Sequence, residues 1–449
     1  MTKEQPTITE WIVITSAGLA LALVVAGQIP GANGSLYWPW VNPPRYSAFF
    51  YMGGPFLIVL FAGWGIETAG VVGYKRIALL AASCFLLQLG AVAADTPDLS
   101  KLAAVVRSAG ATSYFTDATQ LGAPLDWLPR FHETQRHLHS STHPPGPILF
   151  YSAIIGLVGQ EAGPFIGGLV IAFITSLGVP AVYQAASLWR KDPKARFYAA
   201  TLYAILPALI LFTPELDQIY PILTVGIIYF WERSLRDGPR YAVAVGVISW
   251  VASFMAYNFA VLGIYAAIKA IFFMSSAYNV GEHFKRLASV TMVILLVMSG
   301  IYTILFLLTG FQPVATFFDA LSTQERLREL IPRPDASPLL LNLYGFILGG
   351  GAVIPLLALF HVFSFRRGEW EVDRSVELAI EGLLTTAIVG LSGLLDYETA
   401  RVWLFLQPFF IIPAGFRFAG YSLPNRVVLL ILLFMMMVVL KANILFIQA

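Results

Sequence analysis

The sequence predicts an all-α, polytopic membrane protein, and three observations carry that reading. The chain of 449 residues is 57% hydrophobic and only 12% charged, with a mean hydropathy of +0.73, far from the composition of soluble globular domains. Apolar windows of roughly 17–25 residues, the length that crosses the hydrocarbon core as helix, recur from end to end. Short loops rich in Lys and Arg alternate with loops that lack them, the pattern that marks cytoplasmic connections. The net charge is only +2 with the basic residues scattered, which gives no electrostatic footprint for nucleic acid. Cys84 is the single cysteine, so a disulfide within the chain is excluded. The sequence shows no repeat of 20 to 50 residues, no low-complexity linker and no pair of inverted halves, so a single membrane domain is expected.

Taken in order, the first apolar run, Trp11 to Ile29, is long enough to span and is followed by no small-residue cleavage pattern, so it predicts a retained helix with a cytoplasmic N-terminus. Spans are predicted near 10–29, 51–70, 77–94, 164–188, 197–213, 217–232, 240–256, 258–274, 287–309, 342–363, 377–394, 403–418 and 426–447, about 13 in all. Arg190, Lys191, Lys194 and Arg196 then fall in one inner loop, Arg233, Arg236 and Arg240 in the next, followed by Lys285 with Arg286, and by Arg366, Arg367 and Arg374. The apolar stretch Ile148 to Val158 is only about a dozen residues, which predicts that 146–158 is a surface helix rather than a span. Residues 95–163 then form one large outer loop, on the same side as 213–217, 310–341 and 395–402.

The outer loops hold the residues suited to chemistry. In "TPDLSKLAAVV" (96–106) Asp98 opens a helical pattern of Leu99, Leu102, Ala103 and Val106; on spacing alone, Asp98 or Thr96 caps that helix. Asp95 and Asp117 are the other carboxylates of this loop without an obvious partner in sequence. "FTPELDQIYP" (212–221) puts Glu215 and Asp217 in a tight outer turn, where acids either cap or share ligand and base roles. "DYETARVWLFLQP" (396–408) places Asp396, Glu398 and Arg401 at the outer end of a span. The planar fork of Arg401 suits a phosphate, and equally suits an arginine that reaches the headgroups or pairs with Glu398. Four of the six histidines, His132, His137, His139 and His143, lie within a dozen residues. Their spacing is not that of a compact zinc site, and no cysteine accompanies them. In "HLHSSTHPPGPILFY" (137–151) Pro144 and Pro145 force His143 out of helical conformation, while Pro147 suits the first turn of the helix that follows. The stretch therefore predicts an elbow that aims His143.

In their order and shared side, these motifs resemble the GT-C class of glycosyltransferases, multi-span enzymes that use polyprenyl-phosphate-linked sugars, among them protein mannosyltransferases and lipid A aminoarabinose transferases. "TPDLSKLAAVV" is similar to that class's acidic residue opening a juxtamembrane helix, "HPPGPILFY" to its return element, "PELDQ" to its later outer acid, and "ETARVWLFLQP" to its late Arg-to-Pro span. The chain departs from the class where an Asp-Glu pair is Asp98-Leu99 and where an Arg-Tyr pair is Arg401-Val402. The resemblance runs from about 77 to 420, so 1–76 would be two additional helices and 77–449 a GT-C-like domain with outer loop 95–163. It implies inverting sugar transfer at the outer face of the plasma (inner) membrane, to a lipid, glycan or protein acceptor. Asp98 would be the base or acceptor-orienting group, with Asp95 or Asp117 as replacements. His143, Glu215, Asp217, Glu398 and Arg401 would line the substrate site. The charge of the leaving phosphate would be offset by Arg401 or by a divalent ion such as magnesium or manganese, held by acids such as Asp217. Two other readings use the same residues: a secondary transporter with an outer acidic and histidine vestibule, and an outer-face metallohydrolase built on His132 to His143.

Overall fold

The computed structural model describes residues 7–27, 41, 44–69, 72–134, 136–276, 278–330, 338–363, 374–393, 395 and 398–445. Among them every helix or strand assigned is a helix. Three long helices open the chain: α1 (Ile8–Val25), α2 (Ser47–Ala69) and α3 (Tyr74–Ala93). The loop that follows carries four short ones, α4 (Ser100–Arg107), α5 (Tyr114–Gln120), α6 (Pro124–Trp127) and α7 (Leu138–Ser141), before α8 (Gly146–Ala186). Next come α9 (Pro193–Ala204), α10 (Pro207–Leu211), α11 (Tyr220–Asp237), α12 (Ala242–Met255), α13 (Leu262–Ser275), α14 (Val280–Thr309) and α15 (Pro313–Leu330). The last six are α16 (Pro338–Gly349), α17 (Val353–Phe363), α18 (Ser375–Ser392), α19 (Thr399–Val402), α20 (Pro408–Ala419) and α21 (Leu423–Asn443).

The protein is a multi-pass, membrane-embedded helical bundle: among the described residues eight helices are long and apolar enough to cross a membrane, or nine if the bent pair α16–α17 counts as one span. Of the 13 windows that hydropathy marks out, 197–213, 217–232, 240–256 and 403–418 do not meet this test, and for the first and last the reason lies in the centre of the bundle. The window 197–213 is α9 and α10, interrupted at Ile205 and Leu206, and the window 403–418 is a 3₁₀ turn followed by the 12 residues of α20. Helices of 12 residues are about 18 Å long, short of a hydrocarbon core of about 30 Å. Phe197 to Phe212 and Leu404 to Ile412 are buried almost throughout, and α9 packs directly on α20. Being apolar all round, these segments are enclosed by protein, where a broken backbone finds hydrogen-bond partners that lipid would deny it. The window 342–363 likewise divides, α16 and α17 meeting at 101°.

The 41 residues of α8 are two helices. Gly159 has φ +81° and ψ 168°, a region open essentially to glycine alone. The chain reverses there: a Cβ on Gly163 would lie 3.5 Å from Ile155, and one on Gly167 3.0 Å from the Tyr151 ring, whereas a straight helix would set residues 151 and 167 about 24 Å apart. Residues 146–158 thus form a helix of their own, folded back along 160–186. Its first residue, Gly146, lies so close to the Phe254 carbonyl at the end of α12 that any Cβ would overlap it.

Buried ion pairs knit the bundle at the ends bearing the basic loops. Glu67 of α2 meets Lys194 of α9 at 3.0 Å and Arg426 of α21 at 2.8 Å. Lys269 of α13 meets Glu232 of α11 at 2.5 Å, and Glu377 and Glu381 of α18 at 2.8 and 3.2 Å. Ionisable groups within a membrane domain persist when they pair in this way. Between α11, α12, α13 and α14 lies a largely apolar cavity of about 880 Å³, lined also by Tyr257 and by Pro313 and Phe317 of α15. It follows α14 from Thr291 to Phe306, about 22 Å of helix.

Candidate functional site

The site begins with the turn between α10 and α11. Glu215 N–H donates to the Phe212 carbonyl at 2.8 Å, the peptide bond before Pro214 is cis, and Leu216–Ile219 is a 3₁₀ turn. Buried amides brace it from below. Gln218 Nε2 donates to Thr213 Oγ1 at 2.8 Å, Thr213 Oγ1 to Gln88 Oε1 at 3.4 Å, and Gln88 Nε2 to Ser176 Oγ of α8 at 3.2 Å. Glu215 and Asp217 are thereby fixed in direction.

Facing them is α19. Glu398 begins it with φ +46°, a left-handed conformation uncommon outside glycine, and Thr399 Oγ1 donates to the Asn342 carbonyl of α16 at 2.9 Å. Arg401 reaches across: Nη1 donates to Asp217 Oδ2 at 3.0 Å, and Nε and Nη2 donate to Glu398 Oε2 at 3.1 and 2.6 Å. Glu215 Oε2 stands 3.6 Å from Nη1. Burial works against the Arg401 charge, but Glu398, Asp217 and Glu215 more than reverse it and hold its pKa well above the usual value. Glu215 fares differently. Burial pushes its carboxyl up to about 8, Asp217 and Glu398 add to this, and Arg401 only partly opposes it. Burial also raises Asp217, against the pull of Arg401. Near neutral pH Glu215 therefore keeps its proton beside the Arg401 cation.

The elbow completes the wall. His143 Nδ1 lies 2.9 Å from the His139 carbonyl, to which it donates, and the two imidazoles are 4.8 Å apart. Tyr114 of α5 is 5.4 Å from each ring. Burial pushes His143 down to about 4, and burial, His143 and Arg401 carry His139 well below the ordinary histidine value, so both rings are neutral beside the guanidinium. Burial also pushes the Tyr114 hydroxyl far up, as do Tyr220, Asp217 and Glu215. The structure thus brings together Glu215, Asp217, Glu398, Arg401 and His143, and adds Tyr114, His139 and Tyr220. Nothing in "SYFTD" singles out Tyr114; its place follows from the fold of α5 against α8.

The three loop acids part company. Asp98 is exposed and accepts from the Ser100 N–H at 3.1 Å, a capping contact that lowers its pKa. Asp95 lies between Lys101 at 2.5 Å and Lys441 at 2.6 Å, and these cations overcome its burial to hold it below the usual carboxylate value. Asp117 is buried, with Oδ1 2.6 Å from His137 Nδ1 and Oδ2 without a partner among the described residues. Asp396 lies outside the described residues. Among the described residues, no group of three or more His, Cys, Asp and Glu is placed to hold a metal ion. The acids around Asp217 do not fit a divalent cation, since the point on which they converge is filled by the Arg401 guanidinium.

The chain matches no family model, and no curated protein is significantly similar to it.

Proposed function

We propose that the protein is an inverting glycosyltransferase that takes a sugar from a polyprenyl-phosphate-linked donor at the outer face of the plasma (inner) membrane and passes it to a hydroxyl of a lipid, glycan or protein. The observation that carries this reading is Arg401, buried with Glu215, Asp217 and Glu398 next to two neutral histidines. Among the described residues three of the five guanidinium N–H groups are engaged, which leaves one on each terminal nitrogen to meet a phosphate. Preorganised N–H donors aimed at a leaving phosphate stabilise the transition state more than the ground state. The Glu215 proton, retained near neutral pH, is available to a phosphate oxygen as the glycosidic bond breaks. The apolar cavity suits the polyprenyl chain: Phe259, in its wall, packs edge-on against Tyr220 at 5.2 Å, and Tyr220 in turn feels Asp217 and Arg401. Arg401, rather than a bound magnesium or manganese ion, supplies the offsetting charge in this reading.

The test is transfer by the purified protein in nanodiscs, with radiolabelled polyprenyl-phosphate sugars offered as donors and release of polyprenyl phosphate measured. Wild type is expected to turn over and Arg401→Lys to lose roughly two orders of magnitude, the scale of one electrostatic contact in the transition state. Undiminished turnover by Arg401→Lys would contradict the assignment of Arg401. A second reading, secondary transport, draws on Lys269 and its three glutamates inside the bundle, a placement typical of ion-coupled carriers. Solute uptake by proteoliposomes without any sugar transfer would favour it.

A further inference from the structure

Sugar transfer needs a second element besides the donor site, a group that accepts the proton of the acceptor hydroxyl. Asp98, capping and exposed, and Asp95, neutralised by two lysines, are poorly placed for it. On the reading of the protein as a glycosyltransferase, we propose that His137, oriented by Asp117, is the general base. Asp117 Oδ1 lies 2.6 Å from His137 Nδ1. A carboxylate bonded to Nδ1–H fixes the tautomer, leaves Nε2 as the basic nitrogen and stabilises the imidazolium that forms. Asp117 is 7% exposed, the His137 N–H also donates to its Oδ1 at 3.5 Å, and Oδ2 has no partner among the described residues, so both of its side-chain hydrogen bonds there are with His137. The His137 side chain is 38% exposed and Nε2 carries no hydrogen bond among the described residues, so an acceptor arriving from outside can reach it.

The dyad stands next to the donor site without belonging to it. Asp117 is three residues beyond Tyr114 on α5, one helical turn along the same face, and Tyr114 touches both His139 and His143. Ser113 Oγ and Ser140 Oγ, 2.7 Å apart, lock α5 to α7. His139, two residues from His137, has its pKa held well below the ordinary histidine value by burial, His143 and Arg401, which makes it a weak proton acceptor. Among the described residues, the charges beside His137 are Asp117 from α5 and, from its own loop, Arg136, which Asp319 of α15 pairs at 3.0 Å. In the step, the acceptor O–H proton passes to His137 Nε2 and the acceptor oxygen bonds to the anomeric carbon. The bond from that carbon to the phosphate oxygen breaks, and its electron pair leaves with the polyprenyl phosphate at Arg401.

The test measures transfer and donor binding for wild type, His137→Gln, Asp117→Asn and the double variant in nanodiscs. His137→Gln is expected to lose roughly 100-fold or more in kcat, with polyprenyl-phosphate affinity unchanged and the acid limb of the pH profile flattened. Asp117→Asn should fall in the same direction, and the double variant should fall no further than His137→Gln, as for residues that act as a unit. Should His137→Gln fail to fold, Asp117→Asn and restoration of His137→Gly turnover by added imidazole keep the question answerable. Wild-type kcat in a folded His137→Gln, or in Asp117→Asn, overturns the dyad and leaves the donor reading standing. Absence of transfer by wild type removes both.

Discussion

Glu215 shows how burial and charge compete at one residue. An arginine 3.6 Å away would ordinarily keep a carboxyl ionised. Here Arg401 is already engaged by Asp217 and Glu398, and the desolvation of Glu215 prevails. The consequence for stability has a definite sign. Between its ordinary 4.5 and about 8, Glu215 binds more proton in the folded than in the unfolded state. Its contribution therefore falls as pH rises through that window. Glu215→Gln keeps the shape and removes the ionisation. The Tm of the variant minus that of wild type should grow from pH 5 to pH 8 and then level off, as read by thermal unfolding in one detergent. A difference that is flat with pH would place the ionised form in the folded protein. The site was legible in sequence to the extent that its charged residues lie in short turns between helices: Glu215, Asp217, Glu398 and Arg401 all stand where hydropathy ends a window. Asp98 was legible as a cap, and is one. What sequence could not convey was pairing at a distance, such as Lys441 reaching Asp95 from the far end of the chain, or the convergence of α5 and α7 that joins Asp117 to His137.

Among the elements, the reversal at Gly159 decides where the elbow can sit. The short apolar stretch after the prolines signalled a helix distinct from the span that follows, but the sharpness of the turn depends on a single backbone conformation. A Cβ at Gly159 would meet nothing within 4 Å, so Gly159→Ala tests conformation without a steric clash. It is expected to destabilise by about 1–3 kcal/mol, the cost of holding a non-glycine residue in that region, measured as a drop in Tm at fixed pH. An unchanged Tm would mean that the two limbs of α8 do not depend on this turn. The division of α9 from α10, and of α16 from α17, was not legible, because hydropathy records how apolar a window is and not whether its backbone continues. Both breaks occur where neighbouring helices enclose the chain.

At the scale of the whole molecule, a long lipid chain and a charged head call for an apolar groove and a buried cation, and the bundle contains both. The cavity beside α14 supplies the first, and Arg401 within its ring of acids supplies the second, with Phe259 and Tyr220 between them. The central claim is that one lipid phosphate occupies the two together. The most direct measurement is an experimental structure of the protein in nanodiscs with a polyprenyl phosphate added. The phosphate is expected within hydrogen-bonding distance of Arg401 and the chain between α12, α13 and α14. A phosphate seated away from Arg401, or a chain that leaves this cavity empty, would contradict it.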